Sequence, residues 1–466
     1  MRTIFITSFH PHISRNILHT PVLERLKQES DLRIVIIVPS YKVDYFTQQF
    51  GGEQILVEGV DMYAASKKKR GIIFKRLGMY LCPTDTVRLR RRFKLYCDHK
   101  LIFFIFACLI GFAGRSRQVR ALVRMIDYYV SPKGFFASLL DRYKPDLIFS
   151  TDPQNDNDIS LMQDARMRGI PLIGMVRSWD NTTQRVFRIF PDRLLVGSRT
   201  AADECLAIHG YPKEKLVFTG QPHYDRYLNA PITPREKFFT EFSLDPAKPF
   251  ILYAPVGDVT LIMKENDMDQ YVMEILGSIG MQILVRFPPD EQVRLVQFNQ
   301  PPHMVIHRPG HVFKNGQFTD REIRKEDDDS LIDEIFYSSL VITGPTSISL
   351  DAAYMDKPVI AVDCYPSKRH FFEKVYQYSY SHLKKLLHTG GIHYAQTKED
   401  LLRQIDIYRK DPAVDSEGRA RIRANWFSRA DGHASDRVAD EILACLGAHS
   451  IAHHKNSVES SPITSL

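Results

Sequence analysis

Residues 3–8 (TIFITS) form a short β-branched and aromatic run, after which apolar positions recur at helical spacing through 14–28, at Ile17, Leu18, Val22, Leu23 and Leu26. The next run, 32–39 (LRIVIIVP), is apolar almost throughout. A strand buried on both faces has this pattern, and such strands belong to parallel sheets covered by helices. The alternation resumes with 145–150 (PDLIFS), a helical stretch near 159–168, then 171–176 (PLIGMV) and 192–196 (DRLLV). A helix over 198–209 ends at Gly210, and 215–219 (KLVFT) supplies a further strand. Strands alternating with helices predict an α/β fold.

Residues 229–249 interrupt this pattern with Pro231, Pro234, Pro246 and Pro249 among charged positions, and they predict a linker. Beyond it the pattern repeats through 250–254 (FILYA), a helix near 269–279, 282–287 (QILVRF), 304–307 (MVIH), 340–343 (LVIT), a helix over 347–355 and 358–362 (PVIAV). The expected organisation is a Rossmann-like domain over 1–228, the linker, and a second such domain over 250–430. A closing helix over 431–447 and a disordered, Ser- and His-rich tail over 448–466 complete it. Two such domains leave a cleft between the carboxyl ends of their strands, where open α/β sheets bind ligands.

Composition adds little until its distribution is considered. The 466 residues are 44% hydrophobic and 25% charged, which excludes collagen-like, disordered and multi-span membrane classes. Between 67 and 124, however, 16 Lys or Arg face only Asp85 and Asp98, a local charge of +14 within an overall +7, so the remainder is net negative and no nucleic-acid partner is expected. Inside this stretch, 101–114 (LIFFIFACLIGFAG) carries no charge and is flanked by Arg91, Arg92, Lys94 and Lys100 before it and Arg115, Arg117 and Arg120 after it. Fourteen residues fall short of the roughly 20 needed to span a bilayer. The segment predicts a membrane-contact insertion in the first domain, with Arg91, Arg92 and Lys94 on anionic head groups and Phe103 and Phe104 entering the leaflet. The alternative is a core helix whose ends are solvated by basic residues. Six scattered cysteines without a C-x-x-C pair suggest neither a disulfide framework nor a zinc site, and the N-terminus lacks a signal-peptide pattern. The expected location is cytoplasmic, peripheral at the inner membrane face.

The strongest local signal for chemistry is 340–362. In TGPTSISLDAA, Gly344 and Pro345 turn the chain, and Thr346, Ser347 and Ser349 fall at a helix start, where backbone N–H groups, helix dipole and hydroxyls suit phosphate oxygens. The same residues also suit plain N-capping. Asp351, one turn on, is placed to accept from ribose hydroxyls. Asp327, Asp328 and Asp329 read as dipole-favourable charges in an exposed loop rather than as a metal site. No G-x-S-x-G elbow and no P-loop is present.

The run LVITGPTSISLDAAYMDKPVIAV resembles the donor-binding segment of GT-B glycosyltransferases and their relatives, the non-hydrolysing sugar-nucleotide epimerases and the polyol-phosphate transferases of teichoic-acid synthesis. SWDN (178–181), PDRLLVGS (191–198), VFTGQPHYDRY (217–227) and DGHASDRVADEI (431–442) are similar to segments of uncharacterised GT-B proteins of surface-carbohydrate loci. The resemblance implies a GT-B fold whose C-terminal helix packs back toward the first domain. It implies a nucleotide-sugar donor held by Gly344, Thr346, Ser347 and Asp351, with Arg286 neutralising diphosphate charge. Relatives usually carry Glu at the Asp351 position, and often a His where Phe287 follows Arg286. The base for an acceptor hydroxyl is expected at a strand end of the first domain, from His10, His12, Asp152 or Asp180, without metal or other cofactor. Trp179 either stacks on a sugar or fills the core. The expected activity is sugar transfer to a lipid-linked or surface-glycan acceptor. Its alternatives are CDP-polyol phosphotransfer, 2-epimerisation of a sugar nucleotide, and a scaffold without turnover.

Overall fold

The computed structural model describes residues 1–62, 67–258, 267–289, 291–313 and 321–459. The chain forms two compact units, one from Met1–Pro83, Phe106–His223 and Arg429–Leu466, the other from Thr84–Ile105 and Tyr224–Ser428.

The first unit is built on seven parallel strands: β1 (Arg2–Thr7), β2 (Leu32–Pro39), β3 (Ile55–Val60), β4 (Leu147–Ser150), β5 (Leu172–Met175), β6 (Arg193–Val196) and β7 (Leu216–Phe218). Their order is β3-β2-β1-β4-β5-β6-β7, so the direction of winding reverses between β1 and β4. Among its helices are α1 (Pro21–Lys27), α2 (Val43–Phe50) and α3 (Lys69–Tyr80). The chain then supplies α4 (Asp85–Asp98) to the second unit, and α5 (Leu101–Ala113) leads back into the first. There follow α6 (Arg117–Val130), α7 (Ala137–Tyr143), α8 (Asp156–Met167) and α9 (Arg199–Glu204). The unbroken apolar character of β2 has a direct cause. Ile34 and Ile36 pack with Leu23 and Leu26 of α1 on one face, while Val35 and Ile37 pack with Ile159 and Met162 of α8 on the other.

The second unit holds β8 (Phe250–Ala254), β9 (Gln282–Arg286), β10 (Met304–His307), a two-stranded ribbon of β11 (His311–Val312) and β12 (Arg321–Glu322), then β13 (Leu340–Thr343), β14 (Val359–Val362) and β15 (His393–Ala395). The main sheet is parallel in the order β10-β9-β8-β13-β14-β15, with its reversal between β8 and β13. Its helices after α4 are α10 (Arg235–Glu241), α11 (Met268–Gly277), α12 (Lys325–Tyr337), α13 (Ile348–Tyr354), α14 (Ser381–Leu387), α15 (Lys398–Lys410) and α16 (Ser416–Trp426). The last helix, α17 (Ala434–Glu459), belongs to the first unit, where Val438, Ile442 and Leu446 join the same core as α1.

Three sequence expectations change. The segment 229–249 is no spacer, because α10 lies in it and buries Phe238 and Phe239 beside Phe250 and Tyr337 of the second unit. The basic stretch is not one insertion in the first domain. Leu89, Phe93 and Tyr96, spaced along one face of α4, meet aromatic residues of the second unit: Leu89 clusters with Tyr376 and Tyr380, the Phe93 ring stacks on Tyr376 at 4.9 Å, and Tyr96 donates to Glu373 at 3.0 Å. Ser381 N–H closes the contact on Thr86 Oγ1 at 3.0 Å. Finally, α17 runs to Glu459 through positions expected to be tail, since no proline follows Gly447 until Pro462. Residues 460–466 of that expected tail lie outside the described residues.

Candidate functional site

In a parallel α/β sheet the crevice for ligands opens at the carboxyl ends of the two strands where winding reverses. In the first unit these are β1 and β4. His10 and His12 follow β1, Asp152 follows β4, and Asp180 follows the neighbouring β5. The structure therefore places all four expected catalytic candidates on the ends of adjacent strands. The His12 N–H donates to His10 Nδ1 at 3.2 Å, which leaves the proton of a neutral His10 on Nε2, and the two rings meet edge to face at 4.8 Å.

Arg177, which sequence reasoning missed, ties the candidates together. Its Nη1 lies 3.0 Å from Asp152 Oδ2, its Nη2 donates to Asn181 Oδ1 at 3.4 Å, and its carbonyl accepts from Asn16 at 3.0 Å. Asn181 Nδ2 in turn reaches Asp152 Oδ1 at 3.4 Å. The only sequence signal for Arg177 was its place directly after a strand. Arg15 and Lys42 are both buried as well. Burial first, and then the charges of Arg177, His12 and Lys42, hold His10 well below the ordinary imidazole range. Burial, Arg15 and Arg177 push His12 down to about 3, against a smaller upward pull from Asp180. Both imidazoles are thus neutral at pH 7. Gln184 Nε2 donates to Asp180 Oδ2.

Beneath this layer sits Asp158, fully buried in the first turn of α8, another residue missed from sequence. It accepts from Thr7 Oγ1 at 2.5 Å and Ser150 Oγ at 2.7 Å, and so fastens the ends of β1 and β4 to each other. Burial and the nearby charge of Asp152 push it up to about 8, so it carries a proton at neutral pH.

In the second unit the reversal point brings the loop after β8 against Gly344. A Cβ on Gly344 would fall 1.9 Å from Val256 Cγ2, so only glycine permits this approach. The partner loop is fixed by Asp269 on α11, which is fully buried and accepts from Tyr253 Oη at 2.9 Å, Val256 N–H at 2.9 Å and Gly257 N–H at 3.0 Å. The capping explanation of Thr346 and Ser347 does not describe this loop. Ser347 makes no side-chain cap, the Thr346 hydroxyl lies 2.8 Å from that of Thr343, and both residues remain partly exposed.

Arg286 and Asp351 require correction. Arg286 is 4% exposed and donates to Glu334 Oε1 at 2.8 Å, Ser330 Oγ at 3.1 Å and the Asp327 carbonyl at 2.6 Å, so its charge is spent inside the fold. Asp351 is fully buried and accepts from Tyr224 Oη at 2.6 Å instead of facing a ribose. The acidic run is also not an exposed loop. Asp327 and Asp328 are buried in the first turn of α12, paired with Arg324 and Arg226. Among the described residues no group of three or more His, Cys, Asp or Glu side chains is placed to hold a metal.

Of the expected membrane contacts, Arg91, Arg92 and Lys94 lie on α4 and Phe103 and Phe104 on α5. Both phenylalanines are half-buried, with Lys94 Nζ 4.8 Å from the Phe103 ring centre.

Two Rossmann-like units of this topology define the GT-B class of transferases. The UDP-GlcNAc 2-epimerase of Neisseria meningitidis bound to UDP-GlcNAc superposes with a TM-score of 0.54 at 11% identity, over 95% of this chain and 100% of its own. S. aureus MnaA, in a co-structure with UDP, gives 0.53 at 13%, over 96% of this chain and 97% of its own. The wall teichoic acid polymerase TagF gives 0.51 at 11%, over 96% of this chain and 89% of its own. No curated protein matches the chain. Residues 176–444, more than half of the sequence, match the family model of CDP-glycerol:poly(glycerophosphate) glycerophosphotransferase. The protein belongs to that family, and it is a transferase.

Proposed function

We propose that the protein transfers a polyol phosphate from a CDP-polyol donor to a hydroxyl of a lipid-linked or surface-glycan acceptor, in the synthesis of a cell-surface polymer. The observation that carries this reading is the set of three cations, Arg15, Lys42 and Arg177, gathered around His10 and His12. Attack at phosphorus leaves negative charge on the phosphoryl oxygens, where fixed cations stabilise it. Attack at an anomeric carbon builds positive charge on the sugar ring, which the same cations oppose. The family match favours the same donor class.

The acceptor oxygen forms a bond to the β-phosphorus, the bond to the nucleoside monophosphate breaks, and CMP departs with that electron pair. The hydroxyl proton passes to His12. A phosphoryl group bound here offsets Arg15 and Arg177, raising His12 toward the range of an effective base. His10, protonated on Nε2, donates to a phosphoryl oxygen. Asp152 positions Arg177. On the donor side, the backbone at Gly344 and the hydroxyls of Thr346 and Ser347 take the nucleotide phosphates. Fixed protein cations supply the charge, and no metal is invoked.

Sugar transfer from a nucleotide-sugar is the second reading, favoured by the Asp180 carboxylate whose charge reaches His12. The released nucleotide separates the two. Full-length protein is incubated with acceptor and CDP-glycerol, or with UDP-, GDP- or TDP-sugars. CMP release supports polyol-phosphate transfer, and release of UDP, GDP or TDP replaces it with glycosyl transfer.

A further inference from the structure

The loop after β5 is pinned at both ends. The Arg177 carbonyl accepts from Asn16 Nδ2 at 3.0 Å and from Gln221 Nε2 at 3.4 Å, so residues that follow β1 and β7 fix where the loop begins. Asn16 is buried, and its Oδ1 also accepts from Arg15 Nε at 3.2 Å. Farther along, the Asp180 carbonyl accepts from Thr183 Oγ1 at 3.0 Å, the Asp180 carboxylate accepts from Gln184, and Asn181 is buried. Between these anchors Ser178, Trp179 and Asp180 remain partly exposed. The chain has two tryptophans, and they differ. Trp426, the last residue of α16, is 6% exposed and fills the core of the second unit. Trp179 is partly exposed at the carboxyl end of the first sheet, next to the carboxylate whose charge reaches His12.

An aromatic ring beside a carboxylate on a fixed loop has the chemistry that recognises a sugar. The C–H bonds on one face of a pyranose carry partial positive charge and stack on the negative face of an indole, while the ring hydroxyls donate to a carboxylate. The end of a polyol phosphate chain offers no such flat apolar face. Charge points the same way. Arg15, Lys42 and Arg177 stand against Asp152 and Asp180, three cations to two carboxylates, and the phosphoryl group in transfer cancels the difference. An acceptor ending in a further phosphate would bring uncompensated negative charge into a mostly buried site, where it costs more than in water. A neutral sugar brings none.

We propose that Trp179 and Asp180 receive the terminal sugar ring of the acceptor, with the indole against the apolar face of the ring and the carboxylate on one of its hydroxyls, so that a neighbouring hydroxyl is presented to His12. The acceptor end is thus a sugar and not a polyol phosphate, and the reaction that supplies it is a sugar transfer. This assignment rests on the transfer chemistry proposed above for the same site.

The test reads Trp179 directly, because Trp426→Phe leaves it the sole tryptophan of the full chain. Hexyl glycosides of glucose, galactose, mannose and N-acetylglucosamine are titrated without donor, beside the hexyl ester of glycerol phosphate. At least one glycoside is expected to shift the Trp179 emission saturably, and the phosphate ester is expected to leave it unchanged. With Trp426 in place, CMP release from CDP-glycerol is then followed against that glycoside. Trp179→Leu is expected to raise the acceptor KM at least about tenfold with kcat within about twofold, and Trp179→Phe to recover part of the loss. A tryptophan that only filled the core would instead lower the melting temperature and kcat together. Emission indifferent to every glycoside, an acceptor KM unmoved in Trp179→Leu, or a preference for the phosphate ester overturns the assignment. A saturable emission shift without CMP release would overturn the donor reading and leave the sugar site standing.

Discussion

The guanidinium of Arg177 lies 3.0 Å from the carboxylate of Asp152, and this ion pair joins the loops after β4 and β5 beside the two histidines that follow β1. The pair is mostly screened from water, with side-chain exposures of 16% and 7%, so neither charge is readily replaced by solvation. Removing one partner strands the other. Asp152→Asn is expected to cost on the order of 2–4 kcal/mol of stability, read from urea unfolding. Arg177→Met is expected to lower turnover by roughly 10²–10³-fold through loss of charge at the phosphoryl group. An Arg177→Met enzyme with wild-type turnover would remove the cation from the mechanism.

His12 is the proposed base, and His12→Asn is expected to reduce kcat by roughly 10²–10⁴-fold with little change in donor affinity. Because His12 titrates near 3 in the free protein, kcat/KM should stay level from pH 7 down to pH 5. An acid limb near the ordinary imidazole value of about 6.5 would count against His12.

Asp158 makes stability depend on pH in the direction opposite to most carboxylates. Its folded value near 8 lies above the unfolded value of 3.8, so the folded state holds the extra proton between them. Its contribution is complete below the unfolded value and is lost as pH rises through 8. Asp158→Asn, which keeps an acceptor for Thr7 and Ser150, should therefore gain on the wild type between pH 5 and pH 8.5. Parallel stability curves for the two proteins would show that Asp158 is ionised in the fold.

Gly344 and Val256 are coupled by contact. Gly344→Ala is expected to lower the melting temperature and abolish the thermal shift given by CDP, because the added methyl displaces the loop after β8. Val256→Ala in the same chain should restore part of both. A double variant no better than Gly344→Ala would show that the two loops do not compete for that space.

The hydrophobic pattern was sufficient for the central strands of both parallel sheets, since the period of apolar residues is local and a run such as LRIVIIVP leaves no polar face for solvent, but it missed the edge strands β3 and β15, which carry polar residues. His10, His12, Asp152 and Asp180 were legible for a related reason: they follow predicted strands, and carboxyl ends of strands are where these folds bind ligands. Arg286 and Asp351 also stand at strand and helix ends, yet Glu334 and Tyr224, 48 and 127 residues away in sequence, turn them inward. Which way a side chain at such an end points depends on a partner that local sequence does not contain. Asp158, in an ordinary helical first turn, took its role from Thr7 across the sheet, and Arg177 from Asp152. Composition marked 67–124 as unusual, but only packing assigned α4 to the aromatic residues of the second unit and turned the charges of α6 inward. Periodicity along the sequence determines which elements form, and contacts between residues distant in the chain decide which of their side chains remain available for chemistry.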